Sequence, residues 1–327
     1  MVIGADLGGT STRLTVATTA GARLATVQGA GGNPTTHGVE RAAAELGSAT
    51  RRALAGLDPR AVAAVVIGVA GRATLDDERA AQAFAGALAA AHVAARPEFV
   101  GDAEVAFSSA TPHPDGTVLL AGTGAMAVRI RDRHTTSTSD GLGWLLGDEG
   151  SAYWIGREAV RAAIAAIGGT GPETALTGTV SDRLLDGPPI GPAHRYRSAL
   201  IRAVAARPPI ELATLAPLVV EAEAAGDAVA AAICDDAAAR LARLVGDVRG
   251  PHETGPLVLN GSVVREADSP VGRRVRRLIA ERFPGDVLTA ADGIAGAAWL
   301  AVRSIRPHWS DERLAQVHAL LAGRPPG

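Results

Sequence analysis

Two segments of the chain repeat one pattern: a strand, a turn rich in glycine and threonine, and a second strand. The first segment spans residues 2–18 around the turn Gly8-Gly9-Thr10, and the second spans residues 117–131 around the turn Gly122-Thr123-Gly124. A repeated supersecondary unit is typical of a duplicated domain in which each copy packs helices against its own sheet. The repeat therefore predicts an α/β fold with two related domains.

The residues after each hairpin alternate between strand and helix patterns. The predicted strands are 2–6, 13–18, 23–28, 62–69, 98–101, 117–121, 126–131 and 256–260. The predicted helices are 37–57, 77–91, 150–168, 269–283, 292–303 and 311–321, with more helical segments over 195–250 and a loop over 168–192. We predict a small N-terminal domain over 1–112 and a larger C-terminal domain with a helical insertion over 113–307. The C-terminal helix within 308–327 is an expected addition to the first domain.

The composition argues against several classes of partner. Hydrophobic residues make up 47% of the 327 residues, and the net charge of −2 leaves no basic footprint for nucleic acid or an acidic membrane. The apolar runs are interrupted well before the length of a membrane span. The N-terminal residues carry no signal-peptide pattern, so we expect a cytoplasmic protein with no nucleic-acid or membrane partner.

Two further features of the composition limit the chemistry. Cys234 is the one cysteine, which excludes an intrachain disulfide and a four-cysteine metal cluster within one subunit. All 32 Lys+Arg residues are arginine, so no Walker lysine exists in this chain. A nucleotide site would therefore hold phosphate with backbone N–H groups, hydroxyls, arginine or metal.

The first turn has the residues that a phosphate site needs. Asp6 comes at the end of a strand, and Gly8 and Gly9 follow it, so backbone N–H groups can approach phosphate oxygens closely. Thr10 and Ser11 add hydroxyl donors, and the Asp6 carboxylate suits contact with Mg²⁺ through water. A plain hairpin turn explains the same glycines equally well.

The second turn, Gly122-Thr123-Gly124, offers the same groups, and the pair of turns is more informative than either alone. Gly261-Ser262 follows another apolar strand and could lie against an adenosine. An ordinary strand-to-helix turn explains Gly261-Ser262 at least as well.

Asp102 follows the short strand 98–101 and stands at the start of a predicted helix over 103–110. Its carboxylate could take the proton from an attacking sugar hydroxyl. The competing interpretation is an N-cap aspartate, which the position alone favours.

Residues 140–156 combine several glycines with three carboxylates at a helix start. Asp148 and Glu149 can accept hydrogen bonds from sugar hydroxyls, and the glycines allow a ligand to approach the backbone. An ordinary glycine-rich helix entry with Asp148 as its cap is the less favoured alternative.

Together these motifs resemble the BadF/BcrA-type hexosamine kinases of the actin-like ATPase superfamily. The residues 6–10, 122–124 and 261–262 are similar to the two phosphate motifs and the adenosine motif of that group. Residues 143–154 are similar to a stretch of N-acetylglucosamine kinases and of actinobacterial glucosamine kinases. The resemblance implies two duplicated actin/ribonuclease H-like α/β domains with an interdomain cleft, and it implies ATP and Mg²⁺ as cofactors.

The resemblance also implies roles for individual residues. Asp102 is implied to be the catalytic base, and Asp6 to contact Mg²⁺ through water. The implied sugar-binding residues are Asn33, Thr35, Asp102, Gly141, Leu142, Gly143, Asp148 and Glu149. The implied nucleotide-binding residues are Gly8, Gly9, Thr10, Ser11, Gly122, Thr123, Gly124, Gly261 and Ser262. Asn33 is equally plausible as a simple turn residue.

Two departures from the family pattern bear on the substrate. Ala125-Met126 stands where similar N-acetylglucosamine kinases are polar, and Leu142 stands where a tryptophan is familiar. Asp140, Asp148 or Glu149 could neutralise the ammonium of free glucosamine. We therefore expect a glucosamine kinase that makes glucosamine 6-phosphate, with N-acetylglucosamine kinase as the alternative. The oligomeric state is left open, with a homodimer as one alternative.

Proteins of other classes share the expected fold. A related iron–sulfur ATPase needs several cysteines, and another family of sugar kinases and repressors carries a cysteine-rich zinc motif, so a single Cys234 argues against both. A non-sugar ATP-binding module of the BadF/BcrA group is the remaining alternative of a different class. Release of ADP that depends on sugar distinguishes this module from a kinase.

The first turn makes a testable prediction. If Gly8, Gly9 and Thr10 bind phosphate, Gly9→Val abolishes ATP binding and leaves the fold intact, because the new side chain fills the space that a phosphate needs. Calorimetric titration with ATP, together with a melting curve, checks this expectation. An unchanged ATP affinity in the folded variant would rule out a phosphate site at this turn.

Overall fold

A computed structural model of the protein describes residues 1–71, 78–185 and 192–323. These described residues contain ten strands: β1 (Val2–Leu7), β2 (Ser11–Ala17), β3 (Arg23–Ala30), β4 (Ala64–Val69), β5 (Pro97–Gly101), β6 (Gly116–Ala121), β7 (Ala125–Arg131), β8 (His134–Asp140), β9 (Leu257–Asn260) and β10 (Val287–Thr289). The α-helices of the described residues are α1 (Pro34–His37), α2 (Val39–Ala53), α3 (Glu78–Ala89), α4 (Asp102–Ala110), α5 (Ala152–Ile167), α6 (Leu176–Leu184), α7 (Ala193–Ala205), α8 (Ala216–Ala224), α9 (Ala228–Val248), α10 (Pro270–Arg282), α11 (Gly293–Ile305) and α12 (Asp311–Leu321).

The chain divides into two compact units. The first contains Met1–Asp115, Ile130–Thr135 and Ala290–Gly327, and the second contains Gly116–Arg129 and Thr136–Thr289. The predicted boundary at residue 307 therefore lies too late, because the structure groups α11 with the first unit. The side chains of α11 pack in a core with residues of β1, β4 and α4, which explains this grouping.

The two units have matching sheets. The first sheet has the order β3-β2-β1-β4-β5, and the second has the order β10-β9-β6-β7-β8, which is the same order counted from the other edge. In the first sheet β1 pairs antiparallel with β2 and parallel with β4, so the chain leaves β1 by a hairpin turn. The predicted duplication of an α/β domain is confirmed by this topology.

Each sheet carries a core of small and branched apolar side chains. Ile3, Leu14 and Ile67 are fully buried in the first unit, and α2 and α3 supply Leu46 and Phe84 to the same core. The second unit packs α5, α9 and α10 over its own sheet. Burial of a strand on both faces explains the continuous apolar runs seen at 2–5 and 64–69.

The structure corrects several predicted elements. Residues 168–192 were expected to be a loop, but they contain α6, and residues 186–191 lie outside the described residues. The predicted helix over 37–57 is divided into α1 and α2 at Gly38, which has a φ of 83°. Residue 77, the expected first residue of α3, also lies outside the described part of the chain.

Within the described residues, no single helix combines the length and apolarity of a bilayer span. One pair of helical segments, Ala193–Ala205 and Pro209–Ala224, meets that test only when joined, and it is bent by 115° at its break.

Candidate active site

The first glycine turn joins β1 to β2 at the carboxyl end of β1. The Gly8 N–H donates to the Ser11 carbonyl at 2.9 Å, which closes the turn. Gly9 and Thr10 are exposed. A Cβ added at Gly9 would meet only Thr36 Oγ1, at 3.8 Å, so the fold has room for a side chain there. A substitution at Gly9 therefore tests ligand binding rather than packing.

The predicted sugar residue Asn33 lies beside this turn. The Gly32 and Asn33 N–H groups both donate to the Gly8 carbonyl at 3.1 Å. Asn33 is 6% exposed, its Oδ1 accepts from the Thr35 N–H at 2.8 Å, and its Nδ2 donates to the Ala70 carbonyl at 3.3 Å. The amide is thus held as the N-cap of α1 in a fixed orientation, and its loop is attached to the glycine turn.

His37 forms a further hydrogen bond to the same glycine turn. The sequence pattern gave His37 no role. Its Nε2 lies 2.7 Å from the Gly9 carbonyl, and because a carbonyl only accepts, Nε2 is the donor. In a trans peptide the N–H points away from the C=O. The bond therefore fixes the Gly9–Thr10 peptide with the Thr10 N–H on the side opposite His37.

Asp6 lies in β1 next to the turn. Its carboxylate accepts from Arg13 at 2.6 Å, and Arg13 also pairs with Asp292 at 2.9 Å. Burial raises the pKa of Asp6, and the charge and hydrogen bond of Arg13 oppose this shift. Among the described residues no group of three or more His, Cys, Asp or Glu is arranged to hold a metal ion. A carboxylate such as that of Asp6 fits Mg²⁺, which in proteins keeps several waters and is bound through one or two carboxylates.

Asp102 is the first residue of α4, and Gly101 is the N-cap. The Glu104 carboxylate accepts from the Gly101 N–H at 3.0 Å, so another side chain caps this helix. The Asp102 Oδ1 accepts from the Ala103 N–H at 2.9 Å. Burial raises the pKa of Asp102, the Ala103 hydrogen bond opposes this, and the nearby charge of Asp6 raises it further. Glu104 and Asp102 thus each accept one N–H group at the start of α4, so capping of this helix does not depend on Asp102 alone.

The second glycine turn joins β6 to β7, and it accepts hydrogen bonds from the first residues of α5. The Ala152 N–H donates to the Gly122 carbonyl at 2.8 Å, and the Tyr153 N–H donates to the Thr123 carbonyl at 3.3 Å. The first N–H groups of a helix lack partners within the helix, so they are available for such bonds. Thr123 itself is exposed.

Asp148 connects this turn to the loop that follows β8. It is 7% exposed, and its Oδ1 accepts from the Ala125 N–H at 3.0 Å. A Cβ at Gly124 would lie 2.6 Å from that oxygen, so the contact requires glycine at 124. Burial raises the pKa of Asp148, the hydrogen bond from Ala125 opposes the shift, and Asp140 adds to it. Asp148 is not the N-cap of α5, since Ser151 has that position.

The two other carboxylates of this loop are already partnered. Glu149 forms an ion pair with Arg240, which also pairs with Asp236 at 2.9 Å and stacks over Trp154. Asp140 accepts hydrogen bonds from backbone N–H groups of the loop. Neither carboxylate is arranged as a counter-charge for an ammonium ion.

Gly261 and Ser262 follow β9, as predicted. Gly261 has a φ of 101°, and a Cβ there would overlap the Ala121 carbonyl at the start of the second glycine turn. A cavity of about 320 Å³ lies beside Ser262. Its walls are Ala152, Ile155, Ala213, Ala216, Pro217, Val220, Glu221, Cys234, Ser262, Val263, Ser269 and Val271.

The cavity walls from α8 and α9 had no local signal in the sequence. Helix α8 contributes Pro217, Val220 and Glu221, and nothing in the sequence distinguishes these from ordinary helix residues. Cys234 was noted only because it is the one cysteine. Burial raises the pKa of its thiol to about 11, so at neutral pH it is a protonated, apolar wall. An apolar cavity with a few polar groups is the usual form of a small-molecule site.

Comparison with known proteins adds to this geometry. The BadF/BadG/BcrA/BcrD ATPase family matches residues 3–301. The chain belongs to this ATPase family.

Two curated relatives of this family member carry related names. An N-acetyl-D-glucosamine kinase of Dictyostelium discoideum is 31% identical over 215 residues, which cover 62% of this chain and 64% of the relative. An N-acetylmuramic acid/N-acetylglucosamine kinase of Clostridium acetobutylicum is 32% identical over 143 residues, which cover 43% of this chain and 44% of the relative. The chain thus matches less than two thirds of either relative.

Solved structures share the fold of this ATPase family member. A candidate N-acetylglucosamine kinase of Chromobacterium violaceum has a TM-score of 0.70 at 23% identity, over 92% of this chain and 98% of the other. A ROK-family glucokinase of Streptomyces griseus, in complex with glucose and AMPPNP, has a TM-score of 0.56 at 22% identity over 92% and 98%. These likenesses confirm the actin-like α/β fold.

Each unit of this BadF-type ATPase groups a different part of the predicted site. The first unit brings together Asp6, Gly8, Gly9, Thr10, Ser11, Asn33, Thr35 and Asp102. The second brings together Gly122, Thr123, Gly124, Gly141, Leu142, Gly143, Asp148, Glu149, Gly261 and Ser262. Leu142 is 62% exposed, so it is a surface residue of its loop.

The raised pKa of Asp102 predicts a stability effect. Because its pKa in the folded protein lies above the ordinary value of 3.8, Asp102 stabilises the fold fully only below that value, and this contribution is lost as pH rises through the folded pKa. Asp102→Asn removes the buried charge and keeps an oxygen acceptor. We expect a melting temperature above that of the unsubstituted protein at pH 8, with a smaller difference at pH 4.5.

Asp58→Asn is the control for this measurement. Asp58 is exposed and accepts from the Arg60 N–H at 3.0 Å, so asparagine replaces it in a similar hydrogen bond without a change in burial. A variant at Asp102 that melts below the unsubstituted protein at pH 8 would contradict the buried-charge argument.

Proposed function

We propose that this BadF-type ATPase is an ATP-dependent hexosamine kinase that transfers the γ-phosphoryl group to the 6-hydroxyl of an amino sugar. We propose N-acetylglucosamine as its preferred substrate, in place of the glucosamine expected from residues 125, 126 and 142. The names of the two curated relatives support the N-acetylated sugar.

The proposal rests on one observation. In each unit a hydrogen bond joins the glycine turn proposed to bind phosphate to a residue proposed to bind the sugar. In the first unit the Asn33 N–H donates to the Gly8 carbonyl at 3.1 Å. In the second unit the Ala125 N–H, directly after the Gly122–Gly124 turn, donates to Asp148 at 3.0 Å. A kinase must hold its two substrates in register for in-line transfer, and short links between their sites serve that need.

The second unit supports nucleotide binding. The cavity of about 320 Å³ beside Ser262 has apolar walls and the polar groups of Glu221 and Ser269, which suits a purine base. Gly261 packs against the first residues of the second glycine turn, so a base in this cavity would have its phosphates close to that turn. The AMPPNP complex of the glucokinase of similar fold is consistent with this assignment.

The first unit supports the chemical step. In the proposed reaction the 6-hydroxyl oxygen of the sugar forms a bond to the γ-phosphorus, and the Asp102 carboxylate accepts the hydroxyl proton. The bond from the γ-phosphorus to the β–γ bridging oxygen breaks at the same time, and that oxygen leaves as part of ADP. Backbone N–H groups of Gly9 and Thr10 bind phosphate oxygens and spread their charge. Mg²⁺, held near Asp6 through water, would neutralise further phosphate charge. Release of ADP and sugar 6-phosphate completes the turnover.

Two of the three carboxylates of the 140–149 loop, Asp140 and Glu149, have partners within the protein, and this favours the N-acetylated sugar. Glucosamine carries an ammonium, which in a water-poor site needs a carboxylate partner. Glu149 is paired with Arg240, and Asp140 is used by backbone N–H groups. A neutral acetamido group needs no such partner.

A panel of sugars with Mg²⁺ and ATP tests the function. We expect ADP release that depends on the sugar, with a higher kcat/KM for N-acetylglucosamine than for glucosamine, glucose or N-acetylmuramic acid. A higher value for glucosamine would restore the substrate first expected from the sequence. ADP release that no sugar stimulates would point to the non-sugar ATPase alternative within the family.

Asp102 gives a second test through its role as base. Loss of a general base typically lowers the rate by about 10²–10⁴-fold, so we expect Asp102→Asn to reduce kcat by that amount while the Kd for ATP is unchanged. The kcat/KM of the unsubstituted protein should rise with pH through a pKa above 3.8, the raised pKa of Asp102, and the variant should lack this rise. A variant with nearly normal kcat would remove Asp102 from the chemical step.

A further inference from the structure

Asp140 ends β8 in an unusual backbone conformation, with a φ of 63°. Its Oδ1 accepts from the Asp148 N–H at 2.8 Å and from the Leu142 N–H at 3.4 Å. Its Oδ2 accepts from the Glu149 N–H at 3.0 Å. One carboxylate therefore joins both ends of the loop that contains residues 141–149.

The loop is built to fit this carboxylate. A Cβ at Gly147 would overlap Asp140 Oδ1, so glycine is required at 147 while the carboxylate keeps its position. Trp144 of the same loop packs against Tyr153 of α5, with ring centroids 6.0 Å apart. The carboxylate and this ring contact give the loop one conformation although its leucines are exposed.

The loop also forms hydrogen bonds with both backbone groups of Ala125, its carbonyl and its N–H. The Gly141 N–H donates to the Ala125 carbonyl, and the Ala125 N–H donates to Asp148 Oδ1, each at 3.0 Å. Asp148 itself has a left-handed φ of 59°. A left-handed aspartate keeps its side chain in place only while its neighbours restrain the backbone. The bond from the Asp148 N–H to Asp140 is such a restraint.

We propose that Asp140 is a positioning residue for the sugar site: it holds Asp148 in the orientation that binds the sugar, and it does not contact the sugar itself. This inference rests on the proposed function, because it takes Asp148 as a sugar ligand. Asp140 Oδ1 accepts two backbone N–H groups and Oδ2 accepts a third, so most of the acceptor capacity of this carboxylate is used by the loop itself. The contribution of Asp140 therefore reaches the sugar through the backbone of Asp148 and Glu149.

Asp140→Asn tests this role with little change in shape. Asparagine accepts a left-handed φ as readily as aspartate does, so the turn is retained. Its amide nitrogen is a donor, and one loop N–H would then face another donor. A hydrogen bond to a charged group typically changes an equilibrium constant by about 10–100-fold. We expect the KM for N-acetylglucosamine to rise by about that factor, with the KM for ATP within about twofold of its original value.

Asp132→Asn is a matched control, since Asp132 is also left-handed, with a φ of 43°, and precedes the same strand. Its side chain is 80% exposed, so we expect neither KM to change. An Asp140 variant with an unchanged sugar KM would overturn the proposal. Parallel increases in both KM values with a lowered melting temperature would show a general structural role and would also overturn it.

Hydrogen exchange separates this inference from the proposed function. Exchange at the amides of residues 142, 148 and 149 should become faster in Asp140→Asn whatever the enzyme phosphorylates, and unchanged exchange would overturn the restraint itself. If the unsubstituted protein shows no sugar-dependent ADP release while the exchange result holds, the proposed function fails and the restraint on the loop stands.

Discussion

The site depends on how the carbonyl groups of the two glycine turns are held. In the first turn the Gly8 carbonyl accepts from Gly32 and Asn33, and the Gly9 carbonyl accepts from His37. In the second turn the Gly122 and Thr123 carbonyls accept from the first N–H groups of α5. Because C=O and N–H point in opposite directions in a trans peptide, each of these bonds directs the next N–H away from the group that donates to the carbonyl. Both turns thus become rigid sets of donors, which is the form that a phosphate site requires.

In the first unit these bonds come from the loop of Asn33, and in the second unit the Ala125 N–H after the turn donates to Asp148, so each turn is joined to the residues expected to contact sugar in its own unit. The arrangement has a cost in stability. Burial raises the pKa values of Asp6, Asp102 and Asp148, so ionised carboxylates are less favourable in the folded protein than in water. Buried, perturbed carboxylates are more common at functional sites than elsewhere, because reactive groups need such surroundings. Arg13 partly offsets this cost at Asp6, and the Ala125 N–H does so at Asp148.

Local patterns were sufficient for much of the fold and for the glycine turns. The central strands were predicted because burial on both faces demands continuous apolar residues. Strand β8 was missed because its sequence, HTTSTSD, is polar and largely exposed and has no apolar face to signal it. Strand β10 was missed because three residues are too few for a periodic pattern. The partners of Asp140 and Glu149 could not be predicted, because a carboxylate in the sequence does not show whether a backbone N–H or an arginine lies beside it.

The sequence by itself determined that the chain has two related α/β units and that each has a glycine turn after its first strand. It also identified Asp102 and Asp148 as the main carboxylates of the candidate site. These features are local, since turn geometry and strand burial leave their mark on neighbouring residues. Only the tertiary structure decided that α11 belongs to the first unit and that α8 and α9 line the cavity beside Ser262. Such contacts join residues far apart in the chain, and the choice among many chemically equivalent partners is made by packing, which a single sequence does not display.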